Sequence, residues 1–454
     1  MGRLFGTNGI RGIANDLLTT EFASEIGLTL ATYSDGGLIV VAQDPRTSGG
    51  FIKHSIIAGL ISSGCDVYNL HTLPTPALQY GVKHYEADAG IMVTASHNPP
   101  EYNGVKVISK DGTELSRTEE DRFEDIFFSK RFRRVPWTDF GTLTSIDNAP
   151  KVYIDAILKH VDVSLIREKH FSILLDCSNG AASYTTPYLL DKLGCRVVSL
   201  NAHPDGLFPA HPSEPKRDNL RETLEIAKTV KPDITIAHDG DADRAIFIDD
   251  QANYLFGDQI AALVTREKLK ENGGGTVVTA INSSQAIEDV VRDNNGKLVL
   301  TKVSPIEMAR KLKEVDGIVA PEETGGIVFP EHQYCRDGGM TIAFVLNILA
   351  KSGKKLSALI DELPKYYIIK DSIKTQKKNE VEIRFKEELS GINGVEKVVD
   401  IDGLRVYLKD GNFLVRKSGT EDIIRIFAES QSRDRVSEIF GEVKRRVMRI
   451  MEEI

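Results

Sequence analysis

The stretch DITIAHDGDADRAIFIDD (233–250) decides the fold. Its first part, DITIAHD (233–239), is a short apolar run of the kind that forms a buried strand, and AIFIDD (245–250) reads as a strand returning beside it. Between them, HDGDADR (238–244) sets Asp239, Asp241 and Asp243 at alternate positions and ends in Arg244. A polar loop at the carboxyl end of a buried strand is where open α/β sheets place ligands. The same strand, loop and return strand occur twice more: AGIMVTA (89–95), TASHNPP (94–100) and GVKVIS (104–109), then GIVAPEE (317–323), PEETGG (321–326) and GIVFP (326–330).

Two further strands precede each copy. They are LIVVAQD (38–44) and CDVYNL (65–70), FSILLDC (171–177) and CRVVSLN (195–201), and GTVVTAI (275–281) and KLVLTKV (297–303). Helical patterns fall between them, in the first unit near 50–62 and 75–85. The fold class is therefore α/β: three similar mixed-sheet α/β domains, whose loops face one central cleft if the units pack around a centre. After 366 the pattern changes. LRVYLKDGNFLVR (404–416) predicts a hairpin with Asp-Gly as its turn signal. The strand IIRIFAES and an amphipathic helix then complete a smaller C-terminal α+β domain. The expected boundaries are 1–148, 149–252, 253–366 and 367–454.

Composition narrows the function. The 454 residues are 41% hydrophobic and 27% charged, which excludes disorder and fibrous classes. Lys and Arg total 57 against 66 Asp and Glu, a net charge of −9. That balance argues against nucleic acid or an anionic membrane as partner. Four dispersed cysteines without CxxC spacing read as reduced core thiols. No apolar leader opens the chain, and the most apolar helical stretch, 341–350, is too short to span a bilayer, so a soluble, cytoplasmic protein is expected. No interface signature assigns an oligomeric state.

The aspartate loop carries the sharpest chemistry. Three carboxylates this close repel one another unless a cation sits among them, and hard oxygen ligands suit magnesium or calcium. An EF-hand does not fit, because Arg244 stands where glycine is needed and Asp250 where glutamate is needed. A nucleophilic aspartate remains a rival, since DGDAD follows a strand. In 94–100, Pro99, Pro100 and Asn98 are expected to turn the backbone and present Ser96 outward beside His97. Taken alone, that loop reads equally well as a plain strand-to-turn connection. Arg416, Ser418, Gly419, Thr420 and Arg425 combine hydroxyl, backbone and guanidinium donors of the kind that hold phosphate. The segment GTNGIRG (6–12) is a weaker candidate anion cradle, and RTSG (46–49) reads as a helix cap.

Taken in order, FGTNGIRG, TASHNPP with EYNGVK, DGDADR, EETGG and RKSGTE resemble the α-D-phosphohexomutase family over essentially the whole chain. Within it the chain looks most similar to archaeal phosphomannomutase/phosphoglucomutase members, with phosphoglucosamine mutases as near relatives. The resemblance implies a phosphosugar substrate, Mg2+ as cofactor and a hexose 1,6-bisphosphate as intermediate and activator. It implies that Ser96 carries the phosphoryl group and holds the metal together with Asp239, Asp241 and Asp243. It implies that Arg11, His97 and Lys106 surround the reacting phosphate and include the acid and base candidates, with Arg244 supporting the metal loop. The resemblance also implies that Glu322 and Thr324 contact sugar hydroxyls and that Arg416, Ser418, Gly419, Thr420 and Arg425 grip the phosphate that is not reacting. The chain departs from the family pattern at Pro321, Thr324 and Gly326 of the sugar loop, the last where many members have histidine, and at Ser304 and Asp422. Glucose, mannose and glucosamine phosphates all stay open as substrates. A phosphatase or a sugar-phosphate binding module are the competing classes.

Overall fold

The structure, a computed structural model, describes residues 4–454 except Thr7 and Thr420. Strands β1 (Ile10–Ile13), β2 (Gly37–Gln43), β3 (Cys65–Thr72), β4 (Ala89–Val93), β5 (Tyr102–Ser109) and β6 (Leu143–Ser145) form the first sheet, in the order β1-β5-β4-β2-β3-β6. The second contains β7 (Ser172–Asp176), β8 (Arg196–Leu200), β9 (Ile234–His238), β10 (Ala245–Ile248) and β11 (Tyr254–Leu255), ordered β11-β10-β9-β7-β8. In the third unit, β12 (Gly275–Ala280) pairs with β13 (Gly296–Thr301), and β14 (Ala320–Pro321), β15 (Ile327–Phe329) and β16 (Gln333–Arg336) form a ribbon. A parallel bridge between Val277 and Val319 joins the two pieces.

The threefold repeat is thereby visible as topology. The runs β5-β4-β2-β3, β10-β9-β7-β8 and β15-β14-β12-β13 share one arrangement. In each, the three forward strands are parallel and the return strand is antiparallel to the third. Strands sandwiched by helices on both faces need apolar residues at every position. Ile39, Val40 and Val41, Ile234 and Ile236, and Val277 and Val278 are accordingly sealed from solvent. The helix Gly338–Ser352, the apolar stretch singled out in the sequence, is buried from Gly338 through Ala350. Among the described residues no helix is long and apolar enough to cross a membrane. Cys65, Cys177 and Cys335 are buried free thiols; Cys195 is only half-buried.

Three expectations are corrected. The strand expected over 317–323 contracts to β14, because Pro321 has no N–H to donate and the chain must turn at once into the next loop. Residues 10–13 are an edge strand paired with β5, which sets Arg11 opposite Gly104, so strand pairing positions Arg11. In the C-terminal hairpin the two connecting residues are Lys409 and Asp410, since Leu408 already pairs with Gly411.

The last sheet is antiparallel: β17 (Tyr367–Lys374), β21 (Ile423–Ser430), β20 (Gly411–Lys417), β19 (Leu404–Leu408) and β18 (Val395–Asp400), in that order. The helix Arg433–Glu453 buries Val436, Ile439, Val443, Val447 and Ile450, a stripe at helical spacing, against this domain. Buried polar groups dock the domain on the third unit. Glu429 accepts from Gln285 N at 2.8 Å and from Ser284 Oγ, and Arg405 Nη1 donates to Ser283 O at 2.9 Å. Glu429 thus sits at the N-terminus of helix Gln285–Asp293, where backbone donors and the helix dipole favour a negative charge.

Candidate active site

Ser96 follows β4 in the left-handed backbone region, with φ at +52°. Its N–H donates to Thr94 Oγ1 at 2.8 Å, and Thr94 Oγ1 donates to Asp44 Oδ2 at 2.6 Å. Arg46, 1% exposed, holds the rest of the loop. Its Nη1 donates to Pro99 O (2.6 Å) and Tyr102 O (2.9 Å), and its Nη2 to Ser96 O (2.9 Å) and Asn98 O (2.6 Å). Nε pairs with buried Asp44 at 3.1 Å. The RTSG segment therefore does more than cap a helix. Ser48 occupies the N-cap position, but its hydroxyl makes no capping bond and accepts from Asn103 instead.

This clamp aims Ser96 inward. The side chain is 1% exposed, so the loop buries it where the sequence reading had it facing out. Its Oγ donates to Asp239 Oδ2 at 3.1 Å, with His97 Nδ1 at 3.3 Å and Arg244 Nη2 at 3.4 Å. Gly240 makes the approach possible, because a Cβ there would lie 2.6 Å from Ser96 O.

Asp239, Asp241 and Asp243 are buried at the end of β9, with ligand oxygens within 4.8 Å of one another. Asp239 accepts from Arg244 Nε at 2.9 Å. Asp241 Oδ2 accepts from Lys106 Nζ (2.9 Å) and Thr75 Oγ1 (2.6 Å). Oδ1 of Asp241 and Oδ1 of Asp243 are buried with no hydrogen-bond partner. Two bare carboxylate oxygens in one buried cluster, with a third aspartate beside them, fit a hard divalent cation.

Burial pushes the Asp239 carboxyl up to about 7. Burial also opposes ionisation of Asp241, but the Lys106 ammonium and the Thr75 hydroxyl outweigh it and hold that carboxyl well below the usual range. For Lys106 the same balance, burial against Asp241 and Asp243, ends above the ordinary lysine value. His97 is pushed down to about 2 by burial and by the cations Arg244 and Arg11. Arg244 Nη2 lies 2.5 Å from His97 Nδ1. A guanidinium can only donate, so Nδ1 is the acceptor and the ring is neutral. Arg11 reaches the same loop through Asn98 Oδ1 at 2.7 Å.

The third loop docks on the second. Ala245 N donates to Gly325 O at 3.3 Å, and Arg336 bridges Glu322 and Asp243. Thr324 Oγ1 is buried without a partner. Ser96, His97, Lys106, Arg11, the three aspartates, Arg244 and Glu322 thus converge. Arg416 and Arg425 lie elsewhere, as direct cross-strand neighbours in the C-terminal sheet. Arg416 Nε donates to Asp402 (2.8 Å), Arg425 Nη2 to Glu421 (2.6 Å), and Ser418 Oγ accepts from Glu421 N (3.2 Å). Gly419 is exposed beside them, and Thr420 lies outside the described residues. The two arginines lie directly opposite each other, and each is paired with a carboxylate, Asp402 or Glu421.

Sequence reading took Arg46 only as part of a helix cap and missed Arg336, the last residue of β16, where YCR runs into DGG. The available signal was an arginine bracketed by turn residues at the end of a strand.

A repeated α/β architecture with a serine lodged against an aspartate cluster defines a class: enzymes that relocate a phosphoryl group within a sugar phosphate. The models for phosphoglucomutase/phosphomannomutase α/β/α domains I, II and III match residues 2–134, 151–252 and 256–367, and that for the C-terminal domain matches 373–446. The chain belongs to the phosphoglucomutase/phosphomannomutase family. It is 46% identical over 443 residues to a phosphoglucomutase/phosphomannomutase of Thermococcus kodakarensis, covering 96% of this chain and 97% of that protein. It is 39% identical over 451 residues to a phosphoglucosamine/phosphogalactosamine mutase of Sulfurisphaera tokodaii, covering 98% and 99%. The crystal structure of a family protein from Burkholderia thailandensis superposes with a TM-score of 0.90 at 26% identity, covering 99% and 97%.

Proposed function

We propose that the chain is a phosphohexomutase that interconverts the 1- and 6-phosphates of mannose and glucose through a phosphoserine at Ser96 and a hexose 1,6-bisphosphate. The observation that carries this reading is the buried contact of Ser96 Oγ with Asp239, at 3.1 Å, beside two bare carboxylate oxygens.

Asp239, Asp241, Asp243 and the Ser96 phosphate would hold Mg2+, which when bound neutralises phosphoryl oxygen charge. Arg11, Arg244 and Lys106 supply further positive charge around that phosphate. As the bond from Ser96 Oγ to phosphorus breaks, a bond from a sugar hydroxyl oxygen to phosphorus forms; the hydroxyl proton passes to an acid/base side chain and a proton returns to Ser96 Oγ, which leaves as the serine hydroxyl. Arg11, His97 and Lys106 are the candidates for the proton transfers; in the substrate-free site burial and the neighbouring cations make His97 a weak base, and Asp241 and Asp243 make Lys106 a weak acid. Glu322 and Thr324 orient the sugar hydroxyls. Arg416, Ser418, Gly419, Thr420 and Arg425 hold the phosphate that is not reacting, which lets the bisphosphate bind in both orientations. The domain limits 1–148, 149–252, 253–366 and 367–454 assign one of these loops to each unit.

The test is covalent labelling. Incubation with glucose 1,6-bisphosphate and Mg2+ should add one phosphoryl group, mapped to Ser96 by peptide mass spectrometry and absent from Ser96→Ala. Label at an aspartate of 239–243 would move the assignment to a phosphatase-type nucleophile.

A further inference from the structure

Gly326 ends the sugar loop, and a Cβ placed there would lie 2.4 Å from Arg336 Cδ and 3.0 Å from its Cγ. The space beside that residue is thus filled by an arginine stem arriving from β16, which pairs with β15 through Val328 and Arg336. The guanidinium, in a residue only 8% exposed, then forks. Nη1 donates to Glu322 Oε2 at 2.8 Å, and Nη2 donates to Asp243 Oδ2 at 2.5 Å. Asp243 is left with Oδ1, which is buried and takes no hydrogen bond; Arg244 Nε stands 3.6 Å away, beyond bonding range.

The base of this arginine is rigid. The next residue, Asp337, caps the buried helix Gly338–Ser352 by accepting from Met340 N at 2.9 Å. It also accepts from Tyr153 Oη at 2.5 Å and Gln333 Nε2 at 2.7 Å. The backbone that carries Arg336 is therefore held by three separate donors. A planar guanidinium can hold two carboxylates in fixed directions at once, which an ammonium cannot do.

We propose that Arg336 is a positioning residue that ties the metal loop to the sugar loop. One guanidinium fixes which oxygen of Asp243 faces a divalent cation and which oxygen of Glu322 faces the sugar hydroxyls, and Gly326 is the residue that makes room for it. This inference rests on the phosphohexomutase reading for its sugar half and on the aspartate cluster alone for its metal half.

The test compares wild type, Arg336→Met, Arg336→Lys and Gly326→Ala as full-length proteins. Mn2+ binding is followed by electron paramagnetic resonance without substrate, and kcat and KM are measured on mannose and glucose 1-phosphates. Losing a group that orients a metal ligand costs about 10- to 100-fold in affinity. The Mn2+ dissociation constant should rise by that factor in Arg336→Met and in Gly326→Ala, and KM should rise more than kcat falls. Arg336→Lys should restore little, since it keeps the charge and loses the fork. Gly326→Ala keeps both charge and fork chemistry and only displaces the stem, so it decides the matter if Arg336→Met does not fold. Unchanged or tighter Mn2+ binding in Arg336→Met and Gly326→Ala would overturn the proposal, because it would mean the arginine merely repels the cation. A wild type that binds Mn2+ yet isomerises neither sugar would refute the function and leave the metal arm to judge Arg336.

Discussion

Replacing Arg46 with methionine separates the placement of Ser96 from its chemistry. Among the described residues Arg46 makes no hydrogen bond or ion pair to the aspartate cluster, yet it donates to four carbonyls between Ser96 and Tyr102 and pairs with buried Asp44. Breaking a buried pair by removing one partner costs about 3–5 kcal/mol. The carbonyl bonds share the same guanidinium, so their losses do not add to that figure. Burial already holds the Asp44 carboxyl above its ordinary value, so it can take up a proton and keep the cost inside this range. The loop, not the whole chain, should pay it. At 1.4 kcal/mol per factor of ten, the amides of residues 96–98, 101 and 102 should exchange about 10²- to 4 × 10³-fold faster with deuterium, while β7–β10 keep their protection. Phosphorylation of Ser96 by the bisphosphate should fall in parallel. Unchanged exchange in 96–102, or normal phosphorylation with fast exchange, would show that the clamp does not place the serine.

Much of this was legible in the sequence because strands buried on both faces must be apolar throughout, and runs such as LIVVAQD and DITIAHD recur in the same order three times. The aspartate loop was legible because its charges make little sense without a cation. The burial of Ser96 was not, since it depends on Arg46 reaching four carbonyls across a turn and on Gly240 letting the second loop come close. Nor could spacing show Arg336 filling the room beside Gly326, because those residues meet only through the register of β15 and β16. The two-residue strand β14 escaped for a related reason: apolar character marks 317–320, but Pro321 ends the ladder.

Gly240→Ala should lower kcat by about 100-fold and weaken Mn2+ binding as well, since the new methyl pushes apart the serine loop and the aspartate loop that carries Gly240; steady-state kinetics and metal titration check this. His211 is held above its usual value against the pull of burial, by Asp176 at 3.2 Å. Its stabilisation is fully present below about pH 6.5 and is lost as pH rises through the raised folded value, so thermal unfolding from pH 6 to 8.5 should drop more in wild type than in His211→Gln. Glu429→Ala removes the acceptor at the start of helix Gln285–Asp293 and should loosen the C-terminal domain by about 1–2 kcal/mol. Faster proteolysis around 364–372 with an unchanged first unit is the expected readout.

The central claim is that the chain moves a phosphoryl group without releasing it. Purified protein with Mg2+ and a trace of hexose 1,6-bisphosphate should be given mannose, glucose and glucosamine 1-phosphates, with each 6-phosphate and free phosphate measured together. The account predicts 6-phosphate from mannose and glucose in amounts matching the 1-phosphate consumed, with no free phosphate. Dominant conversion of glucosamine 1-phosphate would reassign the substrate, and free phosphate without any isomer would contradict the account.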